Sequence, residues 1–532
     1  MQIRRLRMTK TDLFATAPLH KVRVTSLKNP IMGDITVLFA DKNGELLTDS
    51  AVLAAQLEAA DIAEYLKVSG FKGSVGDVIQ YAARTKDGLK AIMVVGVGNA
   101  KKLAASDLRS LGGTVSRKLG AGKFKFALVA METFTTNAED SVRAFMTGMQ
   151  TATYTFTDLK TGKKDTARPA ELRLAGNALN RRKVASVLTE VDAAVTGAHM
   201  TRRFVDLPPD IMTTEALKSA AEKLAKLHKN VKVTVYTRKQ LADMGLNLLL
   251  AVAQGSDQEP YLVQLTYTGN KKAPQVDLVG KGLVYDTGGL NIKTGDYMAG
   301  MKTDMAGAAT VLGIVHAAAT MDAPLNLRAT LCIVENAVGP KAVKPDEVRT
   351  AYNGTTVEIT DTDAEGRLVL YDALALVKDQ GAETILDFAT LTGSIVAALG
   401  NAFAGMFCND GSMAHDLLGS AKEAGEGLWA MPLLEATDYE DALKSNIADL
   451  RNWQQRDIPD SIGAALFLHH AVKTRKKGGP RGRLKTPKYA HLDIAGTADG
   501  AKEASGSKTS KHCATGYGIR TVLAYLLKNH AA

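Results

Sequence analysis

Short apolar runs alternate with amphipathic stretches along the chain, the pattern of an α/β protein. In the first part, Ile35–Ala40, Ala91–Val97, Phe126–Met131 and Glu171–Ala175 read as strands, and Ser106–Lys118 and Ala138–Ala152 as helices. The peptide Gly96-Val97-Gly98-Asn99 follows a strand and has half a dinucleotide fingerprint. It lacks a third glycine and a following acid at the expected places, so it reads as a strand-to-helix turn. Residues 181–204 predict a long, mostly polar helix with Arg181, Arg182, Lys183, Arg202 and Arg203 at its ends. Leu207-Pro208-Pro209 stops it.

Beyond that helix the spacing predicts helix Thr214–His228 and strands Val231–Tyr236, Tyr261–Tyr267 and Gln275–Tyr285. Helix Asp304–Met321, strands Leu325–Val334 and Thr356–Thr360, helix Arg367–Lys378 and strand Thr384–Phe388 follow. Several strands are apolar on both faces, as in a sheet covered on both sides by helices. At 532 residues two domains are expected. These are a smaller N-terminal α/β domain (1–180), a linker helix (181–204) and a larger C-terminal domain (205–532) whose mixed, largely parallel sheet is flanked by helices. No internal repeat, heptad run or low-complexity tract appears.

Composition narrows the function classes. Aromatics make up only 5%, against 47 Gly, which disfavours a stacking platform for single-stranded nucleic acid. Cys332, Cys408 and Cys513 are odd in number and far apart, so they give no disulfide framework or CxxC pair and favour a reducing compartment. The first 30 residues lack an apolar signal core. They carry Arg4, Arg5, Arg7, Lys10, Lys21, Arg23 and Lys28 against Asp12 alone, a bias shared by mitochondrial presequences and by plain basic tails. The tail is the preferred reading, with a cytoplasmic location and a mitochondrial one as the alternative. The uncharged stretch Phe388–Asn409 contains too many Thr, Gly, Ser and Asn residues for a lipid-facing helix and reads as buried core. The net charge of +10 is concentrated in Lys473–Lys488, eight Lys/Arg with no acid and with Gly and Pro breaking any helix. This loop is expected to be solvated, with electrostatic contact to nucleic acid as a secondary possibility.

Two segments carry candidate chemistry, Val279–Lys293 continuing to Met301–Ala309, and Thr360–Leu370. Both put ionisable residues at strand ends or turns in apolar, small-residue surroundings, where ligands bind in open α/β sheets. Singly, Asp286 is an ordinary turn acid, Asp304 a first-turn acid, and Asp363 and Glu365 helix caps. Jointly, four carboxylates and two lysines beside such apolar strands need partners. A metal cluster supplies them: Asp and Glu are hard oxygen ligands suited to Zn²⁺, Mn²⁺ or Mg²⁺, and no His or Cys lies in either segment. In extended backbone Asp363 and Glu365 share one side. Lys281 and Asp286 fall on opposite faces of a straight strand, so the strand must bend, and Gly282 permits it. Lys281 is either a counter-ion or, with its pKa depressed beside cations, a neutral metal ligand. Lys293 and Arg367 suit the oxyanion that forms when water adds to a carbonyl.

The peptide Asp361-Thr362-Asp363-Ala364-Glu365-Gly366-Arg367-Leu368 resembles the N-T-D-A-E-G-R-L signature of the leucyl (cytosol) aminopeptidase family. The resemblance runs from about Arg203 onwards, through Lys444–Asp449, His491–Thr497 and Ala514–Gly516, and is weak over 1–180. It implies two divalent ions per subunit, one held by Lys281, Asp286, Asp304 and Glu365, the other by Asp286, Asp363 and Glu365. It implies Lys293 on the scissile carbonyl and Arg367 anchoring a bicarbonate that takes a proton from water. Met301, Thr390, Gly393 and Ala495 would line the first side-chain pocket, and the Leu391 carbonyl would receive the substrate amine. The implied activity is release of leucine-like residues from peptides with a free amino terminus by an inward-facing homohexamer. No membrane partner is expected. Departures from the family pattern are Asp361 for Asn, Thr287 for Ser, a small Ala498, no glycine-rich run after Arg451, and the basic loop. A nucleotide-binding enzyme is disfavoured because Val279-Gly-Lys-Gly lacks GxxxxGK[ST]. A nucleophilic hydrolase is disfavoured because no GxSxG occurs.

Overall fold

The structure is a computed structural model and describes residues 17–28, 30, 33–57, 61–85, 88–122, 124–157, 159–161, 171–454, 458–474, 486–500 and 514–531. Most of the basic loop, the first sixteen residues and Cys513 lie outside the described residues. The chain forms two compact units that part between Val195 and Thr196, inside the helix Arg181–Asp206.

In the smaller unit a six-stranded sheet runs in the order Lys21–Thr25, Glu171–Ala175, Phe126–Ala130, Ile35–Ala40, Gly88–Gly96, Val78–Thr85. All neighbours are parallel except the last pair. The central strands alternate between two cores, as period-two side chains must. Val37, Phe39, Met93 and Val95 face one, and Leu38, Ala40, Ile92 and Val94 the other. Val184, Val187 and Val191, from the first half of the boundary helix, are buried in the former. The helices Ala105–Ala121 and Ala138–Thr151 meet through glycine: a Cβ on Gly112 would lie 2.0 Å from the Phe145 carbonyl oxygen. Asn99 caps a short 3₁₀ turn after Gly98, which has φ +64°, so Gly96–Asn99 is a turn.

The larger unit holds an eight-stranded sheet ordered Gly427–Met431, Phe403–Cys408, Lys488–Asp493, Thr384–Ala389, Gln275–Asp286, Asn326–Asn336, Tyr261–Thr268, Val231–Tyr236. Its centre is parallel, and antiparallel pairs occur towards both edges. Helices Asn247–Ala253, Glu365–Asp379 and Asp460–Lys473 share one large core with the sheet residues Val279, Leu283, Cys332 and Ile385. Helix Ala306–Thr320 packs against the central strands. Its first turn explains the small-residue run Ala-Gly-Ala-Ala. A Cβ on Gly307 would lie 2.1 Å from the Phe388 carbonyl oxygen, and one on Gly280 would lie 2.6 Å from Ala308 Cα.

Two expectations need correction here. Phe388–Asn409 is not buried throughout: it forms the end of one strand, the helix Gly393–Leu399 and the strand Phe403–Cys408, and the helix and the turn after it are largely exposed. The bend in Gln275–Asp286 is not at Gly282. Leu283 pairs with Val334 but Asp286 with Asn336, so the extra residue lies at Val284–Tyr285. That bulge restores Lys281 and Asp286 to one side. Among the described residues, no helix is long and apolar enough to cross a membrane.

Candidate active site

Four chain segments converge at the ends of the central strands. Lys281 and Asp286 come from the bulged strand, and Lys293 from the loop after it. Asp304 precedes the small-residue helix, and Asp363 and Glu365 lie where a turn enters helix Glu365–Asp379. This differs from the extended backbone expected for the last two. Asp363 sits in the turn and Glu365 opens the helix, and it is the turn that brings them together. One carboxylate oxygen each from Asp286, Asp363 and Glu365 lie within 4.8 Å of one another.

Lys281 Nζ is 2.8 Å from Asp304 Oδ1 and 3.0 Å from Glu365 Oε1, and it donates to the Thr390 carbonyl at 3.0 Å. Lys293 Nζ lies 2.9 Å from Asp286 Oδ2 and 2.5 Å from Asp363 Oδ1. Four carboxylates thus surround two ammonium groups, an excess of two negative charges when all are ionised. All but Lys293 and Asp363 are almost fully buried. Asp304 Oδ2 and Glu365 Oε2 are buried without a hydrogen-bond partner among the described residues.

The titration behaviour follows from this crowding. Burial pulls both lysines down but is outweighed: Asp304, Glu365 and Asp286 hold Lys281 above the ordinary range, and Asp286, Glu365 and Asp363 do so for Lys293. Burial, then the neighbouring Asp286 charge, pushes Glu365 up to about 8 and Asp363 up to about 6. Among the protein groups alone, Lys281 is a charged counter-ion to Asp304 and Glu365.

Polar side chains that were not singled out in the sequence, all but Asn291 buried, hold these groups in place. Asn336 Nδ2 donates to Asp286 Oδ1 at 2.8 Å and to the Thr362 carbonyl at 3.1 Å. Asn291 and Thr362 exchange backbone-to-side-chain bonds of 2.8 and 2.9 Å, which tie the Lys293 loop to the Asp363 turn. Gly288, at φ +85°, must be glycine, because a Cβ would lie 2.4 Å from the Asn291 carbonyl oxygen. Asn452 accepts from Thr360 N–H at 2.8 Å and donates to the Asp361 carbonyl at 2.6 Å. The only signal for such residues is an amide or hydroxyl at the end of an apolar strand, which periodicity does not interpret.

Of the expected pocket residues, Thr390 and Met301 contact Asp304 directly. Thr390 Oγ1 donates to Asp304 Oδ1 at 2.7 Å. Leu391 N–H and Ala495 N–H both donate to Asp493 Oδ1, at 3.0 and 3.2 Å, so one buried carboxylate joins the two pocket segments. Met301 opens the turn that closes on Asp304 N–H, and Gly393 opens an exposed helix. Arg367 is buried, with Nη2 2.7 Å from Asp460 Oδ1 and Nη1 donating to the Asn452 carbonyl at 3.1 Å.

The catalytic domain of the cytosol aminopeptidase family matches residues 199–523, and the family's N-terminal domain matches residues 37–163. The chain belongs to the cytosol aminopeptidase family. Relatives include a "Probable cytosol aminopeptidase" of Brucella anthropi, 35% identical over 93% of this chain and 96% of that protein. A "Probable cytosol aminopeptidase 1" of Shewanella oneidensis is 34% identical over 95% of this chain and 96% of its own length. Among solved structures, the bottromycin maturation enzyme BotP, also solved in complex with Mn, is similar at 28% identity. It has a TM-score of 0.77 and covers 93% of this chain and 99% of its own. The cytosol aminopeptidase family is one of metal-dependent hydrolases, so the chain is an enzyme of that class. Family membership now extends to the N-terminal domain, where the sequence resemblance was weak.

Proposed function

We propose that the chain is a two-metal aminopeptidase that releases leucine-like N-terminal residues from peptides with a free amino terminus. The observation that carries this is the pair of orphaned buried oxygens, Asp304 Oδ2 and Glu365 Oε2, in a cluster with excess negative charge. Such a set fits hard divalent cations, Zn²⁺, Mn²⁺ or Mg²⁺. Lys281, Asp286, Asp304 and Glu365 would hold one ion, and Asp286, Asp363 and Glu365 the other. Lys281 must give up its proton to serve as a ligand. When bound, such ions would lower the pKa of water and polarise the carbonyl it attacks.

The protein's own groups do the rest. Lys293, held charged by Asp286 and Asp363, stands ready for the developing oxyanion. Thr390, Leu391, Gly393, Ala495 and Met301 would receive the amine and the first side chain. A homohexamer and a cytoplasmic location are part of the proposal, the location supported by the word cytosol in the relatives' names. Any contact of the basic loop 473–488 with nucleic acid falls mostly on residues outside those described. The test is to strip the protein with a chelator and return each metal separately. Turnover of leucine amide should vanish and then recover at two ions per chain; full activity with one ion or none would reject the two-metal reading.

A further inference from the structure

The resemblance casts Arg367 as the anchor of a bicarbonate, but the residues around it do not fit that anion. A carbonate is gripped best by two parallel guanidinium N–H groups. Here Nη2 lies 2.7 Å from Asp460 Oδ1 and Nη1 donates to the Asn452 carbonyl at 3.1 Å, so a carbonate on the remaining N–H groups would sit beside the Asp460 carboxylate and be repelled by its charge. What stands on Arg367 is a carboxylate of the chain itself.

The second oxygen of that carboxylate is open to a proton. The Asp460 side chain is 31% exposed, against 3% for Arg367, and its second oxygen has no hydrogen bond among the described residues. Asp460 opens helix Asp460–Lys473, and the next residue, Ser461, donates its N–H to Ser394 Oγ at 2.7 Å. That bond fixes this helix end beside Gly393. On the other side, a Cβ on Gly366 would lie 2.6 Å from Lys281 Nζ and 3.0 Å from Leu391 Cδ1, so the residue preceding Arg367 touches the cluster and the proposed amine site.

We propose that Asp460 is the proton-accepting base of this enzyme, doing with a side chain what a bound bicarbonate would do. This rests on the aminopeptidase reading above. As the water oxygen bonds to the scissile carbonyl carbon, its proton passes to the Asp460 carboxylate, and the C=O π pair moves onto oxygen beside Lys293. When that pair returns, the C–N bond breaks and the leaving nitrogen takes the proton from Asp460. One water is consumed, and Asp460 ends as it began. Arg367 holds Oδ1 and leaves Oδ2 for the proton.

The test compares the wild type with Asp460→Asn and Asp460→Ala in CO₂-free buffer, with and without added bicarbonate or formate. Asn keeps an oxygen for Arg367 but accepts no proton, whereas Ala leaves room for a small anion. Bound carbonate is read separately, as CO₂ released on acidifying desalted protein. The wild type should ignore bicarbonate and carry no carbonate. Asp460→Asn should lose about 10²-fold or more in kcat, the scale of one general base. Asp460→Ala should lose as much, but recover about tenfold or more with either anion and retain carbonate, with thermal melts and metal content unchanged. Full kcat in Asp460→Asn, or a wild type that needs bicarbonate and carries it, would overturn the proposal. A metal-loaded wild type inactive on every amide would instead sink the aminopeptidase reading, while the carbonate assay still decides what occupies Arg367.

Discussion

Asn452 lies far in sequence from every candidate ligand, yet its truncation should loosen both metals. It is fully buried beside the turn 360–364. Besides its bonds to Thr360 N–H at 2.8 Å and the Asp361 carbonyl at 2.6 Å, it reaches Asp361 N–H at 3.3 Å and the Ala364 carbonyl at 3.2 Å. In Asn452→Ala at least two well-formed bonds are lost, at ~1–3 kcal/mol for each backbone group left unpaired. Thr360 and Asp361 are only half-buried, so water reaches part of the turn and the lower end applies, ~2–3 kcal/mol in all. The same turn carries Asp363 and leads into Glu365, so divalent-ion affinity should fall about 10–100-fold, the usual effect of removing a group that orients ligands. Urea unfolding of chelated protein measures the first quantity, and equilibrium dialysis of Mn²⁺ measures the second. Lost stability with unchanged affinity for both ions would refute the argument and leave Asn452 as packing alone.

Lys293→Ala should lower kcat by about 10²–10³ with little change in KM, because its ammonium acts on charge that appears only in the transition state; steady-state kinetics on leucine amide would contradict this if KM alone moved. Metal affinity should rise with pH through neutrality and go on rising above 8, because Lys281, held charged by Asp304 and Glu365, must also lose its proton to serve as a ligand. Protons compete with cations for Glu365, raised to about 8, and Asp363, raised to about 6, only below those values. Calorimetry in buffers of different ionisation enthalpy should show protons released on binding at pH 7, and zero release would contradict the assignment.

How much could be read from the sequence depended on the kind of signal. Strands such as Ile35–Ala40, Glu171–Ala175 and Val231–Tyr236 matched to the residue, because turn residues or charges bound their apolar runs on both sides. The half-exposed edge strand Lys21–Thr25 and the short helices Thr48–Gln56 and Ile62–Val68 were not expected, since no strong period marks them. The six charged groups stood out because ionisable residues in apolar surroundings need a reason, and the structure brings all six together. The bulge was misplaced because parity shows that a strand must bend but not where. Asn336, Asn452, Asp460 and Asp493 were missed because each makes a contact with a residue 26 to 102 positions away in sequence, which no local pattern encodes.

If this cluster works on peptides from their amino end, a free amine on the substrate is required. The direct measurement is the hydrolysis rate of leucine amide against N-acetyl-leucine amide, with one metal-loaded preparation of the wild-type chain. Acetylation removes the amine lone pair and adds bulk where Thr390, Leu391 and the Lys281–Asp304 end of the cluster would receive the amino group. Rapid release is expected from the free amide and none above background from the acetylated one. Comparable rates on the two would contradict it.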